Sequence, residues 1–115
     1  MGNVLQIRVM AKTYDESQVE KKWPFLVALA WPEPHAKGRP HGVMELVEDL
    51  KDRLELGMLP KADEELLGES IRKSFNVKLR LEDALGDWKA TEANIASFDL
   101  EDLLDELEKE AVKDD

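Results

Sequence analysis

Cysteine is absent from the 115 residues, which excludes disulfides, thiolate-bound zinc and cysteine nucleophiles on chemical grounds. Long apolar runs are missing too. No stretch approaches the ~20 consecutive apolar residues of a membrane-spanning helix, and residues 1–9 lack the basic start and apolar stretch of a secretory leader. A cytoplasmic chain with no membrane partner is the expectation. The six glycines form neither a dinucleotide fingerprint nor a Walker loop, and no serine stands in a Gly-x-Ser-x-Gly elbow. Glu33 lies two residues before His35, and Gly38 stands three before His41, so the Glu-x-x-His spacing of a helical di-metal site is absent as well. No cofactor is expected, and the reading leans away from an enzyme.

Positive charge is scarce. Sixteen Lys and Arg face 26 Asp and Glu, a formal net charge of −10. The imbalance is uneven: residues 1–40 carry a small positive excess, whereas the stretch from Asp99 onward holds nine acids against two bases. Such a segment repels phosphate polyanions, so no nucleic-acid partner is expected. With 43% hydrophobic residues the chain can nonetheless bury a core, and its length suits a single domain over residues 1–115.

Periodicity gives a mainly α fold of about four helices, roughly 14–31, 43–56, 62–89 and 98–112, with one N-terminal β-strand over 4–12. In that strand Leu5, Ile7, Val9 and Ala11 share one face. Thr13 and Glu16 fit a capping box for the first helix. Val19, Trp23, Leu26, Val27 and Ala30 follow at helical spacing, and Pro24 demands a kink or two short helices meeting at Trp23-Pro24. A buried strand from Phe25 to Trp31 is the minority alternative. Residues 32–42 gather three of the five prolines and both histidines, as an internal loop does.

Beyond the loop, Val43, Leu46, Val47, Leu50 and Leu54 make a clean stripe between Gly42 and Gly57. Leu67, Ile71, Phe75 and Leu79 continue at spacing four, yet Phe75, Val77, Leu79 and Leu81 also alternate as in a strand. Helix over 62–89 is preferred, extended by Leu85 and a buried Trp88; a small α+β fold with 76–81 as a second strand is the alternative. Phe98, Leu100, Leu103, Leu104, Leu107 and Ala111 mark a last helix opening at Ser97 or Asp99. Residues 113–115 form a frayed acidic end.

Candidate sites are few. His35, Lys37, Arg39 and His41 could converge on an anion or a borderline metal, although a loop of this composition is ordinarily solvated. The carboxylates Glu45, Glu48, Asp49, Asp52 and Glu55, and those at Glu101, Asp102, Asp105, Glu106 and Glu108, read as solvated helix faces. Leu5, Ile7, Val9 and Trp31 are the candidate partner-binding residues. A strand needs a ladder partner, and pairing with a second copy across a two-fold axis would supply one, so a homodimer is expected. The preferred function is a non-enzymatic protein–protein interaction module. The alternatives are a small enzyme or anion- or metal-binding protein using residues 33–41, and an acidic polyanion mimic that occupies a basic partner.

Overall fold

The computed structural model describes residues 5–7, 11–13, 16–32 and 41–113 of the chain. The fold is mainly helical. Five helices span Glu16–Lys22 (α1), Pro24–Ala30 (α2), Val43–Glu55 (α3), Lys61–Gly86 (α4) and Ala90–Lys113 (α5). At the N-terminal end, the backbone of Leu5–Ile7 (β1) runs antiparallel to Ala11–Thr13 (β2), with Leu5 opposite Thr13 and Ile7 opposite Ala11. The single strand expected over 4–12 is therefore two short segments paired to each other, and residues 8–10 lie outside the described residues. Since β2 gives β1 its ladder, the strand supplies no reason for pairing across a two-fold axis.

The junction at Trp23-Pro24 takes the form of two short helices. The Trp23 amide still donates to the Val19 carbonyl at 2.9 Å, while the Trp23 carbonyl accepts from the Val27 amide at 3.0 Å, so one residue closes α1 and opens α2. Pro24 is tolerated as the first residue of α2 because the amide it lacks would have no intrahelical acceptor there. The strand alternative for Phe25 to Trp31 is excluded by this helix. No side chain at the start of α2 caps it. The Glu108 carboxylate on α5 does so instead, accepting from the Phe25 amide at 3.1 Å and the Leu26 amide at 3.0 Å. A negative charge facing the first turn also complements the helix dipole.

Helix α3 forms as its sequence dictates. The Gly42 amide donates to the Glu45 carboxylate at 3.1 Å, and Val43, Leu46, Val47, Leu50 and Leu54 are all buried. Gly57, at φ 67°, adopts the left-handed conformation that lets the Met58 amide reach back to the Arg53 carbonyl at 2.8 Å and end the helix.

Helix α4 resolves the contest between the two periodicities. Leu67, Ile71, Ser74, Lys78 and Leu81 are buried at spacings of three and four, so 76–81 is helix and the α+β alternative is excluded. Lys78 is 4% exposed. Its ammonium lies 2.8 Å from Glu48 on α3 and 3.0 Å from Glu82 one turn on, and 5.5 Å from the Phe75 ring centroid.

Helix α4 ends at Gly86 rather than near 89, and α5 begins at Ala90, about two turns before the expected opening at Ser97 or Asp99. Ser97 is a buried interior residue whose hydroxyl donates to the Asn94 carbonyl at 2.6 Å. The buried stripe of α5 runs through Ala93, Ala96, Leu100, Leu104, Leu107 and Ala111. Phe98, expected in that stripe, is 36% exposed.

The helices close into a ring. α2 packs on α3 and α5, α3 on α4, and α4 on α5 along most of their length, while α1 packs on α2. β1 lies beside α5 and β2 beside α3. No helix among the described residues is long and apolar enough to cross a membrane.

Candidate functional site

Of the residues singled out from sequence, the described structure brings His41, Trp31 and Asp49 together. His41 stacks on Trp31, with ring centroids 4.1 Å apart and planes 10° from parallel. The Trp31 indole donates to Asp49 on α3 at 2.6 Å. Trp31 is thus half-buried against its own chain. His35, Lys37, Arg39 and Val9 lie outside the described residues, and of Leu5 and Ile7 only the backbone is placed. Among the described residues, no group of three or more His, Asp or Glu side chains is disposed to hold a metal ion.

The acidic last helix divides into two faces. Glu101, Asp105 and Glu108, at spacings of four and three, turn inward. Glu101 is fully buried, with the Lys22 ammonium 3.7 Å away. Asp105 accepts from the Trp23 indole at 2.9 Å and lies 3.8 Å from Lys22. Glu108 caps α2. These three carboxylates hold α1 and α2 to the bundle and are not a solvated face. On α3 the same correction applies to Glu45, Glu48 and Asp49, whose carboxylates accept from Gly42, Lys78 and Trp31.

Asp99, Asp102 and Glu106 lie on the other face of α5, where α4 and α5 form an outward groove. At its end near the α4–α5 turn is a depression of about 360 Å³ lined by Arg80, Asp83, Ala84, Asp87, Lys89, Glu92, Ile95 and Asp99. A second, of about 290 Å³, continues along the pair past Val77, Asp102, Leu103 and Glu106. The two share Arg80 and Asp99, whose side chains meet across the groove at 2.6 Å. Both partners of this ion pair are more than half or half exposed, so it contributes at most about 1 kcal/mol and separates easily.

Trp88 stands in the turn between the groove residues Asp87 and Lys89. The Lys89 amide donates to the Ala84 carbonyl at 2.8 Å and the Trp88 amide to the Leu85 carbonyl at 3.1 Å, the paired bonds that terminate a helix through one left-handed residue. At the end of α3 that residue is Gly57; here it is Trp88, at φ 60°. Among the described residues it is the one non-glycine with positive φ. Its expected place in the core is corrected: the side chain is 77% exposed. A side chain with a Cβ in this conformation costs about 1–2 kcal/mol.

Trp88→Gly is accordingly expected to raise stability by up to about 1 kcal/mol, part of the relieved strain being offset by the greater freedom of glycine in the unfolded chain. The urea midpoint measures it. A lowered midpoint would mean that the indole holds the turn together.

Two signals could have located this site. Gly86, an isolated glycine near the end of a helical pattern, is a stop signal that outweighs the helical phase linking Leu81, Leu85 and Trp88. Ala93 and Ala96 precede Leu100 at core spacing, which starts α5 early and carries Ile95 and Phe98 to the outside. Comparison with known proteins finds no family model, curated protein or solved structure that matches the chain.

Proposed function

We propose that this chain is a non-enzymatic protein–protein interaction module whose partner docks on the outer face of the α4–α5 hairpin. The observation that carries this reading is Trp88. An aromatic ring is exposed to water on a backbone conformation that glycine adopts without strain, so the residue costs stability in the isolated fold. Strain of this kind persists where a side chain is needed for something other than folding. Ile95 is 54% exposed and, with Phe98 one turn on, adds apolar area near the turn. Interfaces share this anatomy of aromatic anchors and apolar area within a polar rim.

The two alternatives have less behind them. Of the four residues in the anion or metal reading, His41 alone is described, and its ring is stacked on Trp31. A polyanion mimic would present the carboxylates of the last helix outward, whereas Glu101 is fully buried and Asp105 and Glu108 are bonded to Trp23 and the first turn of α2.

Affinity capture from the source cell, with the full-length chain as bait, tests the reading. The unaltered chain and Leu56→Ala, which alters an exposed residue at the α3–α4 turn, should retain one stoichiometric partner that Trp88→Gly loses. Equal retention by all three baits would overturn it. Sedimentation at micromolar concentration distinguishes a second copy of the chain from a different protein as that partner.

A further inference from the structure

We infer that the occupant of the α4–α5 groove is a basic amphipathic helix of a different protein; this deepens the proposed function and rests on it. The groove has an apolar floor, to which Val77, Ala84, Ile95 and Leu103 contribute, between two charged walls. Those walls carry six carboxylates, Asp83, Asp87, Glu92, Asp99, Asp102 and Glu106, against the two cations Arg80 and Lys89, a net charge of −4. Both cations are already spent on the walls: Arg80 reaches Asp99 at 2.6 Å and Lys89 reaches Glu92 at 3.8 Å. Among the described residues, no cation lies within ion-pair distance of Asp83, Asp87, Asp102 or Glu106.

The Arg80 guanidinium shows what the groove accepts. It lies across the depression between the two helices and engages the opposite wall, which is the position an incoming Arg or Lys side chain would take. Exchange of Arg80 for such a group costs little because the existing pair is solvated. A second copy of this face would bring −4 against −4, so self-pairing through the groove is opposed by its own charge.

Backbone chemistry selects a helix over an extended segment. Both walls are α-helices whose amides and carbonyls are bonded within themselves, so they offer an extended peptide no ladder, and its own amides would be buried without partners. A helix arrives with its backbone satisfied. The wall from Val77 to Asp87 rises about 15 Å, enough for roughly three turns of a partner helix, presenting an apolar stripe at spacings of three and four between rows of Lys or Arg.

The test titrates the full-length, isotopically labelled chain with three 14-residue peptides, reading amide shifts. The first places Leu at helical core spacing with Lys and Arg elsewhere; the second scrambles the same residues so that no stripe forms; the third keeps the stripe and replaces every base by Glu. The inference expects the first to bind with shifts concentrated at groove residues, about tenfold more weakly to Asp87→Asn/Asp102→Asn and more weakly again at high salt. Equal binding of the scrambled peptide, which would mark general attraction to an acidic surface, overturns it. Binding of the Glu peptide overturns it too, as does no binding by any. If the peptides fail while Trp88→Gly still loses the cellular partner, the interaction reading stands and the basic-helix inference alone falls.

Discussion

Replacing Trp23 by alanine is expected to remove about 3–5 kcal/mol of stability, the range for truncating a large aromatic side chain in a packed core. Trp23 is fully buried and sits at the residue that ends α1 and opens α2, so the cavity would form where two short helices join. Neither helix, at seven residues each, can persist without tertiary packing. The loss is comparable to a large share of the roughly 5–15 kcal/mol that holds a domain of this size together. A drop in the melting midpoint on the order of 15 °C should follow, read by helical circular dichroism. Trp23→Phe retains most of the volume but loses the indole bond to Asp105, so it should cost closer to 1 kcal/mol. A fall of under about 1 kcal/mol for alanine would show that the bundle closes without this junction.

The second large effect is expected at Lys78. Burial works against its charge, but hydrogen bonds from the ammonium to Glu48 and Glu82 more than offset this and hold the group charged above the ordinary lysine value of 10.5. A raised folded-state value contributes stability that is fully present below the unfolded-state value and is lost as pH rises through the folded one. The urea midpoint should therefore fall above about pH 10.5 more steeply in the native chain than in Lys78→Met, once the other titrations common to both are subtracted. At neutral pH the two replacements separate packing from charge. Methionine preserves the buried stem, and the two carboxylates left behind are partly exposed, so it should cost about 1 kcal/mol or less. Alanine also gives up the packing of the stem, and about 2–3 kcal/mol is expected. Parallel pH profiles for native and methionine chains would refute the coupling.

Local signals carried the parts of the fold that local chemistry determines. Helix α3 lies between Gly42 and Gly57 with every stripe residue inside, because its cap, periodicity and terminator agree. The break at Trp23-Pro24 is equally direct, since a missing amide and a ring clash act on neighbouring residues alone. The α4–α5 turn is hidden in the sequence because Trp88 continues the phase of Leu81 and Leu85, and a large apolar side chain looks like core. Alanine misleads in the opposite sense: Ala93 and Ala96 add little to a hydrophobic pattern, yet they are fully buried. Phe98 opens the apolar run of the last helix, although the phase of Leu100, Leu104 and Leu107 turns it to the far side.

The inward carboxylates were illegible for a different reason. Nothing in the residues around Glu101, Asp105 and Glu108 distinguishes them from Asp102 and Glu106, which face out. Their partners, Lys22, Trp23 and the first amides of α2, are some 80 residues away in the chain. Composition counted the charge of the last helix correctly and could not divide it. The groove inherits the same difficulty, since each wall comes from a different helix and neither alone has the spacing of a site.

The hold of Glu108 on α2 also imposes an order of events during synthesis. The amides of Phe25 and Leu26 leave the ribosome early, but the oxygens that receive them are encoded more than eighty residues later. Until those oxygens emerge, the growing chain can draw on the neighbouring contacts of α3 and α4, while the amino-terminal helices await their acceptor. Completion of this fold therefore falls to α5, which is made after the four helices it joins.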